Sequence, residues 1–126
     1  PYPGQQDGSI HDGLVDDILG RVQMLNLVNV HGGLDVPFNE LGLSSGQEQL
    51  MSLARAILHH LYAESKIILL DEPTSNVDSA TETIIRDAIE ETFFEETVIV
   101  ISHRRDAIRN ASMILEMAHG RIVKVT

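Results

Sequence analysis

Two adjacent carboxylates, Asp71 and Glu72, directly follow an uninterrupted apolar run at residues 67–70. This pattern predicts a buried β-strand that delivers both carboxylates to its C-terminal end, where open α/β sheets bind their ligands. A hard divalent cation prefers oxygen ligands, and a carboxylate fixed at a strand end can orient a nucleophilic water. The alternative interpretation is that Asp71 caps a turn and Glu72 is a surface charge.

A second group of polar residues, Ser44, Ser45, Gly46 and Gln47, stands at the start of a predicted helix. A helix that begins beside Gly46 points its free N–H groups and its positive dipole end outward, and the Ser44 hydroxyl adds a donor. Such a helix start can bind an anion, although an ordinary serine N-cap has the same sequence. Ser45 adds a Cβ where a backbone and a phosphate must approach closely.

Two further polar residues, Asp78 and His103, each lie after one of the predicted strands. Asp78 precedes a predicted helix and is a candidate N-cap. His103 follows a second apolar run at residues 97–101, and a single histidine there is also compatible with a structural role. The remaining histidines show no metal-ligand spacing, and they are His11, His31, His59, His60 and His119.

The spacing of apolar residues predicts the elements that position these side chains. Two apolar strands joined by a helical crossover predict a parallel βαβ unit, right-handed by the general rule. The first half of the chain is predicted to hold a helix over residues 12–29, with Asp12 as N-cap and Gly32-Gly33 at its end, an irregular connector over residues 33–43 and a helix over residues 45–62. The second half is predicted to hold a strand over residues 66–70, a helix over residues 79–92, a strand over residues 97–101, a short helix over residues 104–110 and a β-hairpin at the sheet edge that turns at His119-Gly120.

Taken together, these motifs resemble the C-terminal half of the nucleotide-binding domain of ATP-binding cassette (ABC) ATPases. Residues 43–47 resemble the L-S-G-G-Q signature of that family, with a serine where the family most often has the first glycine, and residues 67–72 resemble its magnesium-binding strand. Asp78 stands at the position of the D-loop and His103 at that of the switch histidine. The resemblance runs from about residue 12 to the end and is strongest to the second such domain of the multidrug-resistance and conjugate exporters.

The resemblance implies an α/β chain with a partial P-loop NTPase (ABC ATPase) fold. In that fold a helical-subdomain portion is followed by a parallel βαβ core and a C-terminal β-hairpin, and the strand that carries the phosphate loop is missing here. Residues 1–43 would form the end of the helical subdomain and its connector. Residues 44–126 would form the signature helix, the magnesium-binding strand, the D-loop, the switch-histidine loop and the hairpin of a single incomplete domain.

The resemblance also implies a role for each candidate residue, with ATP and Mg²⁺ as cofactors. Asp71 would hold the magnesium ion through water, Glu72 would polarise the water that attacks the γ-phosphate, and His103 would contact that phosphate. The remaining residues would face the nucleotide held by a partner domain, and they are Ser44, Ser45, Gly46, Gln47 and Asp78. The serine at position 45 is a departure that would weaken this composite site.

No G-x-x-x-x-G-K-[ST] phosphate loop occurs in the sequence. Without the N–H groups and the lysine of that loop, Asp71 and Glu72 have no triphosphate to act on. We therefore expect a fragment of a longer protein, which alone binds ATP weakly or not at all and hydrolyses none. Its expected partners are the missing N-terminal half of the same domain, a second nucleotide-binding domain and the transmembrane domains of a transporter.

The amino-acid composition of the chain limits the kinds of partner that it is expected to bind. A formal net charge of −10, with only 9 Lys and Arg residues, argues against a nucleic-acid partner. No apolar run approaches the roughly 20 residues needed to span a bilayer, so we expect membrane association through the transporter, with the domain on its cytosolic face. The leading hypothesis is an ATPase fragment that powers export. The alternatives are a catalytically incomplete module that only binds a partner, and a non-transport ABC ATPase.

Overall fold

The computed structural model describes residues 12–126, apart from the side chain of Asp12, as an α/β chain. Residues 1–11, which include His11, lie outside the described residues. Eight helices and strands follow one another in the described part: α1 (Asp12–Arg21), α2 (Leu25–Val30), α3 (Ser45–Ala63), β1 (Ile67–Asp71), α4 (Ser79–Thr92), β2 (Thr97–Ile101), β3 (Leu115–Ala118) and β4 (Arg121–Val125). Single 3-10 turns at Phe38–Glu40 and Arg105–Ile108 lie between them.

The first helical segment is broken, so the prediction of one helix over residues 12–29 is wrong. Gln23, between α1 and α2, adopts a positive φ of 57°. Its N–H donates to the Gly20 carbonyl at 3.0 Å, and the N–H of Met24 donates to the Leu19 carbonyl at 2.8 Å. These two bonds form a Schellman motif, which ends a helix and redirects the chain. The buried Leu19 and Met24 side chains supply the apolar contact that accompanies the motif.

The end of α2 confirms the prediction that Gly32-Gly33 stops the helical segment. Gly32 has a φ of 117°, and the Gly33 N–H donates to the Val28 carbonyl at 2.9 Å. The connector that follows is irregular, as predicted, except for the 3-10 turn. Because glycine carries no Cβ, it adopts this positive φ without steric cost.

The two long helices confirm their predicted positions. α3 begins at Ser45 and ends one residue beyond the predicted limit, and α4 has the predicted bounds. Their apolar faces pack with α1 around Ile57 and Ile85, which are almost wholly buried. This core also receives the side chains that β1 and β2 direct toward the helices, and they are Ile68, Leu70 and Val98.

β1 and β2 pair in parallel, with Ile67 opposite Thr97 and Asp71 opposite Ile101. The parallel βαβ unit is therefore confirmed, but the prediction that both strands are buried is wrong for one face. α3 and α4 cover only the face that packs into the core, and no element among residues 12–126 covers the other. Four apolar side chains are exposed there: Ile67, Leu69, Ile99 and Ile101.

The predicted hairpin forms, but its predicted place at the sheet edge is wrong. β3 and β4 make a separate antiparallel sheet, since the turn at Arg105–Ile108 leads the chain away from β2 first. That 3-10 turn is what the structure shows in place of the short helix predicted over residues 104–110. His119 and Gly120 both have positive φ, as a two-residue hairpin turn requires. Within residues 12–126, no helix is both long and apolar enough to cross a membrane.

Candidate functional site

The ends of β1 and β2 bring Asp71, Glu72 and His103 to one edge of the parallel pair, and we call these three residues the strand-end cluster. The N–H of Glu72 donates to the Ile101 carbonyl at 2.9 Å, which extends the ladder one residue past β1. His103 follows Ile101 by two residues and therefore lies beside Glu72. The structure thus brings Glu72 and His103 together at the ends of the two strands.

Glu72 and His103 are joined by two hydrogen bonds that end on the same carboxylate oxygen. The backbone N–H of His103 donates to Glu72 Oε1 at 3.1 Å, and ring Nδ1 lies 2.8 Å from that oxygen. An ionised carboxylate only accepts, so Nδ1 carries the proton in this contact. The other ring nitrogen, Nε2, is left for a further partner, and 74% of the His103 side chain is exposed.

This contact lowers the pKa of Glu72. The hydrogen bond from the His103 side chain is the largest cause, and the His103 backbone N–H and the charges of His103 and Arg104 act in the same direction. Desolvation opposes them and is outweighed. The carboxylate is therefore ionised near neutral pH, so it is suited to accept a hydrogen bond from a water and orient it.

Glu72 also has a left-handed backbone conformation, with a φ of 47°. A Cβ in this region costs about 1–2 kcal/mol per residue, so the conformation persists only where neighbours fix it. The Ser75 N–H donates to the Glu72 carbonyl at 3.1 Å and closes the turn that follows. Such outliers cluster at functional sites because the strain fixes a side chain in place.

Asp71 is the exposed last residue of β1. Across residues 12–126, no three His, Cys, Asp or Glu side chains are grouped in a way that could hold a metal ion. Mg²⁺ commonly keeps several waters and binds through one or two carboxylates together with substrate phosphates. Asp71, an exposed carboxylate beside Glu72, could supply one ligand to an Mg²⁺ ion whose other ligands are water and phosphate. Asp71 and Glu72 are too few to form a site from protein ligands alone.

The second group predicted from the sequence, Ser44, Ser45, Gly46 and Gln47, lies at the start of α3, and we call it the helix-start cluster. Ser44 is the N-cap: its Oγ accepts from the Gln47 N–H at 3.2 Å, and Gln47 Oε1 accepts from the Ser44 N–H at 2.9 Å. This is a capping box. The first-turn N–H groups of Ser45 and Gly46 have no acceptor within the helix, as in helices generally.

Asp78 is the N-cap of α4, as the sequence predicted. Its Oδ1 accepts from the Thr81 N–H at 2.7 Å, and this bond is the main reason that the pKa of Asp78 is lowered. A Cβ placed on Gly46 would lie 3.4 Å from Cγ2 of Thr81 and 3.7 Å from Cγ1 of Val77. The starts of α3 and α4 are therefore neighbours, and Asp78 lies close to the helix-start cluster.

Two side chains that lie outside the sequence motifs contact the segment between Glu72 and Asp78. Gln49 Nε2 donates to the Ser75 carbonyl at 2.9 Å. Arg104 donates to the Thr74 carbonyl at 3.4 Å and forms an ion pair with Glu82 at 3.0 Å. A signal for Gln49 was present, because it precedes the buried Leu53 by four residues and so places an amide on the apolar face of α3.

Comparison with known proteins shows extensive similarity to membrane transporters. The chain is 34% identical over 118 residues to ABC multidrug transporter B of Aspergillus fumigatus, which is 94% of this chain and 8% of that protein. It is 43% identical over 96 residues to bile pigment transporter 1 of Saccharomyces cerevisiae, and 40% identical over 96 residues to ATP-binding cassette sub-family C member 10 of Mus musculus. Each of these two matches covers 75% of this chain and 6% of the relative.

A solved structure of a bacterial Atm1-family ABC exporter with ATP bound is similar as well, with a TM-score of 0.75 and 27% identity. The match covers 95% of this chain and 21% of that one. No family model matches the chain. The chain thus spans 8% or less of the length of the curated relatives named here.

Proposed function

Because this chain belongs to the ATP-binding cassette transporter family, as its relatives show, we propose that it is part of a nucleotide-binding domain that hydrolyses ATP to drive export. The domain would have the P-loop NTPase fold and lie on the cytosolic face of the membrane. Residues 1–43 would end its helical subdomain, and residues 44–126 would supply its signature helix and catalytic strand ends. The phosphate loop would come from the missing N-terminal half.

The observation that carries this proposal is the double hydrogen bond from His103 to Glu72. Both bonds end on Oε1, so Oε2 of Glu72 is left to hold the attacking water. Nε2 of His103 points away from the carboxylate, and in the doubly protonated imidazolium it would donate to the γ-phosphate oxygens while Nδ1 keeps its bond to Glu72. A fixed carboxylate and a neighbouring donor at the end of parallel strands are what in-line attack of water on a phosphoryl group requires.

Asp71 would hold Mg²⁺ through water, and the remaining ligands would be nucleotide phosphates and water. When bound, the ion neutralises charge that develops on the phosphate oxygens. Asp71 is exposed and next to Glu72, so a hydrated ion can reach it without rearrangement of the core. The ATP itself needs the phosphate loop, and we therefore expect the isolated chain to hydrolyse none.

The helix-start cluster would bind the γ-phosphate of an ATP molecule held by the second nucleotide-binding domain. The N–H groups of Ser45 and Gly46 and the positive end of the α3 dipole favour an anion. Asp78, beside this cluster, would cross the same interface. Two such domains would enclose two ATP molecules, and their closure would move the transmembrane domains.

The test is ATP hydrolysis by the full-length protein that contains this chain, with Glu72→Gln as the variant. The amide keeps the shape of the side chain but removes the charge that polarises water, so we expect the rate to fall by about a hundredfold or more. Glu95→Gln, at an exposed glutamate away from the strand ends, is the matched control and should keep the rate. An unchanged rate in Glu72→Gln would show that the catalytic assignment is wrong.

The same measurement separates the alternatives. A partner-binding module without catalytic competence would hydrolyse no ATP even in the full-length protein. A non-transport ABC ATPase would hydrolyse ATP in a full-length protein that has no transmembrane domains. The exposed apolar face of β1 and β2 is compatible with all three, since each of them requires that further structure cover the sheet.

A further inference from the structure

The segment that joins Glu72 to Asp78 is residues 73–78, which we call the 73–78 turn. It begins directly after the left-handed Glu72 and contains a second residue with positive φ, Asn76 at 56°. The conformation is strained at Glu72, whereas asparagine adopts this region more readily because its short polar side chain can form local hydrogen bonds. A strained segment needs contacts from outside it to keep a single conformation.

Two side chains from different elements supply such contacts, and they bind successive carbonyl groups of the turn. Gln49, in the second turn of α3, donates from Nε2 to the Ser75 carbonyl at 2.9 Å. Arg104, which follows β2, donates from Nη1 to the Thr74 carbonyl at 3.4 Å. The buried Thr74 is 7% exposed, so water has little access to compete for its contacts.

Arg104 is itself held at a second point. Its Nη2 lies 3.0 Å from Oε2 of Glu82 in α4, and the Glu82 side chain is only 16% exposed. Its backbone N–H donates to Ser102 Oγ at 3.1 Å. The guanidinium of Arg104, the residue after His103, therefore contacts both the 73–78 turn and α4. A guanidinium fork suits this bridge because its N–H groups diverge in a fixed plane.

We infer that Gln49 and Arg104 are positioning residues that hold the 73–78 turn and thereby fix Glu72 against His103. Gln49 connects the turn to the helix-start cluster, and Arg104 connects it to the strand-end cluster. The two clusters are thus linked through the backbone of one strained segment. This inference rests on the proposed ATPase function, because it assigns these residues to the geometry of the same site.

The contacts of Gln49 indicate that it positions the 73–78 turn and does not mainly stabilise the fold. Its Nε2 is bonded to the Ser75 carbonyl, but its Oε1 is buried and faces no donor among the described residues. A buried polar atom without a partner destabilises the folded state. Gln49 also lines a cavity of about 220 Å³ with Leu53, Asp71 and Glu72. An apolar side chain of the same length would therefore suit the fold, but it would lose the bond to the turn.

The experiment compares Gln49→Met, Arg104→Met and Arg104→Lys in the full-length protein, with kcat and the KM for ATP measured separately. Loss of either contact should lower kcat by about tenfold or more, since small misplacements of catalytic groups have large effects. The KM for ATP should change by less than about twofold, because neither residue touches the nucleotide. Arg104→Lys keeps the charge beside Glu82 and should recover part of the lost rate.

Arg105→Met is the matched control. Arg105 is 90% exposed, and within residues 12–126 it forms only a long ion pair, 3.7 Å, with Glu116, so its loss should leave kcat unchanged. Thermal unfolding of each variant separates positioning from folding. Gln49→Met loses the bond to the Ser75 carbonyl but also removes a buried Oε1 that has no donor among the described residues, so the two effects oppose each other. The variant should therefore unfold near the wild-type temperature while its kcat is reduced, which a purely structural role would not produce.

Three results overturn the inference. If Gln49→Met and Arg104→Met keep the wild-type kcat while Glu72→Gln loses it, the turn does not need these contacts and the proposed function stands. If each variant loses activity only in proportion to lost folded protein, the residues are structural. A Glu72→Gln variant that keeps its rate overturns the proposed function and this inference with it.

Discussion

Substitution of Ser44 distinguishes a helix cap from an anion-binding site. Ser44→Ala removes the hydroxyl that accepts from the Gln47 N–H at 3.2 Å and leaves the bond from the Ser44 N–H to Gln47 Oε1 in place. Loss of an N-cap side chain costs about 1 kcal/mol of stability. Water can reach the freed N–H because Ser44 is exposed, so we expect no larger loss.

Ser44→Asp keeps the cap but changes the charge. Aspartate is as good an N-cap as serine, and its charge at the positive end of α3 adds about 0.3–1 kcal/mol of stability. If a γ-phosphate binds beside Ser44, however, the carboxylate repels it. Two unit charges 4 Å apart repel by about 4 kcal/mol at an effective dielectric constant of 20. That energy corresponds to roughly a thousandfold loss of affinity or rate.

The assay measures ATP hydrolysis and thermal unfolding of the full-length protein for Ser44→Ala, Ser44→Asp and Ser44→Thr. We expect Ala to lower stability, Thr to retain both properties, and Asp to retain stability while it abolishes hydrolysis. Ser112→Asp adds the same charge at an exposed serine before β3 and serves as the control. If Ser44→Asp hydrolyses ATP at the wild-type rate, Ser44 is a cap only and the anion-site reasoning is refuted.

Three further outcomes follow from the described contacts. His103→Ala should raise the pKa of Glu72 toward its ordinary value, because the ring hydrogen bond that lowers it is lost. Ionised Glu72 stabilises the fold above its unfolded pKa and loses this effect as pH falls through the lowered folded pKa. The variant should therefore lose this stabilisation above the unfolded pKa, and its difference from the wild type should shrink as pH falls through the lowered pKa. A carboxyl NMR titration that is unchanged contradicts this. Gln23→Gly relieves a positive φ and should stabilise the chain against denaturant by about 0.5–1 kcal/mol, whereas a lower midpoint contradicts it. Leu69 lies on the exposed sheet face, so Leu69→Lys should lower the sedimentation coefficient of the isolated chain by reducing association through that face. An equal sedimentation coefficient would show that this face does not drive association.

Elements with local signals were predictable from the sequence. α4 has its N-cap at Asp78 and an amphipathic pattern up to Thr92, and both bounds agree with the prediction. β2 follows from a β-branched run, and the hairpin follows from the pair His119-Gly120. In each case the residues that define the element lie within it or directly beside it, so no distant contact is needed.

The predictions were wrong where the local structure depends on residues that are distant in the sequence. The break at Gln23 carries no sequence signal, because glycine or asparagine is the usual residue in that conformation and glutamine is not. The buried Leu19 and Met24 stabilise it, and their burial depends on α3. The exposure of one face of β1 depends on which elements cover the sheet, and the types of Ile67 and Leu69 alone predict core residues. The spacing of apolar residues along a strand predicts that a face is apolar, but it does not predict which element covers that face.

The strand-end cluster shows why the candidate site was found while its supports were missed. Asp71, Glu72 and His103 follow strands, so a parallel register alone brings them to one edge. Gln49 and Arg104 contact backbone carbonyls of a turn, and a carbonyl has no sequence identity to recognise. A polar side chain on an apolar helix face remains informative, because a buried amide needs a partner. Gln49 is such a residue, since its Nε2 donates to the Ser75 carbonyl of the 73–78 turn at 2.9 Å, and an amide on the apolar face of α3 therefore indicates a polar partner outside the helix.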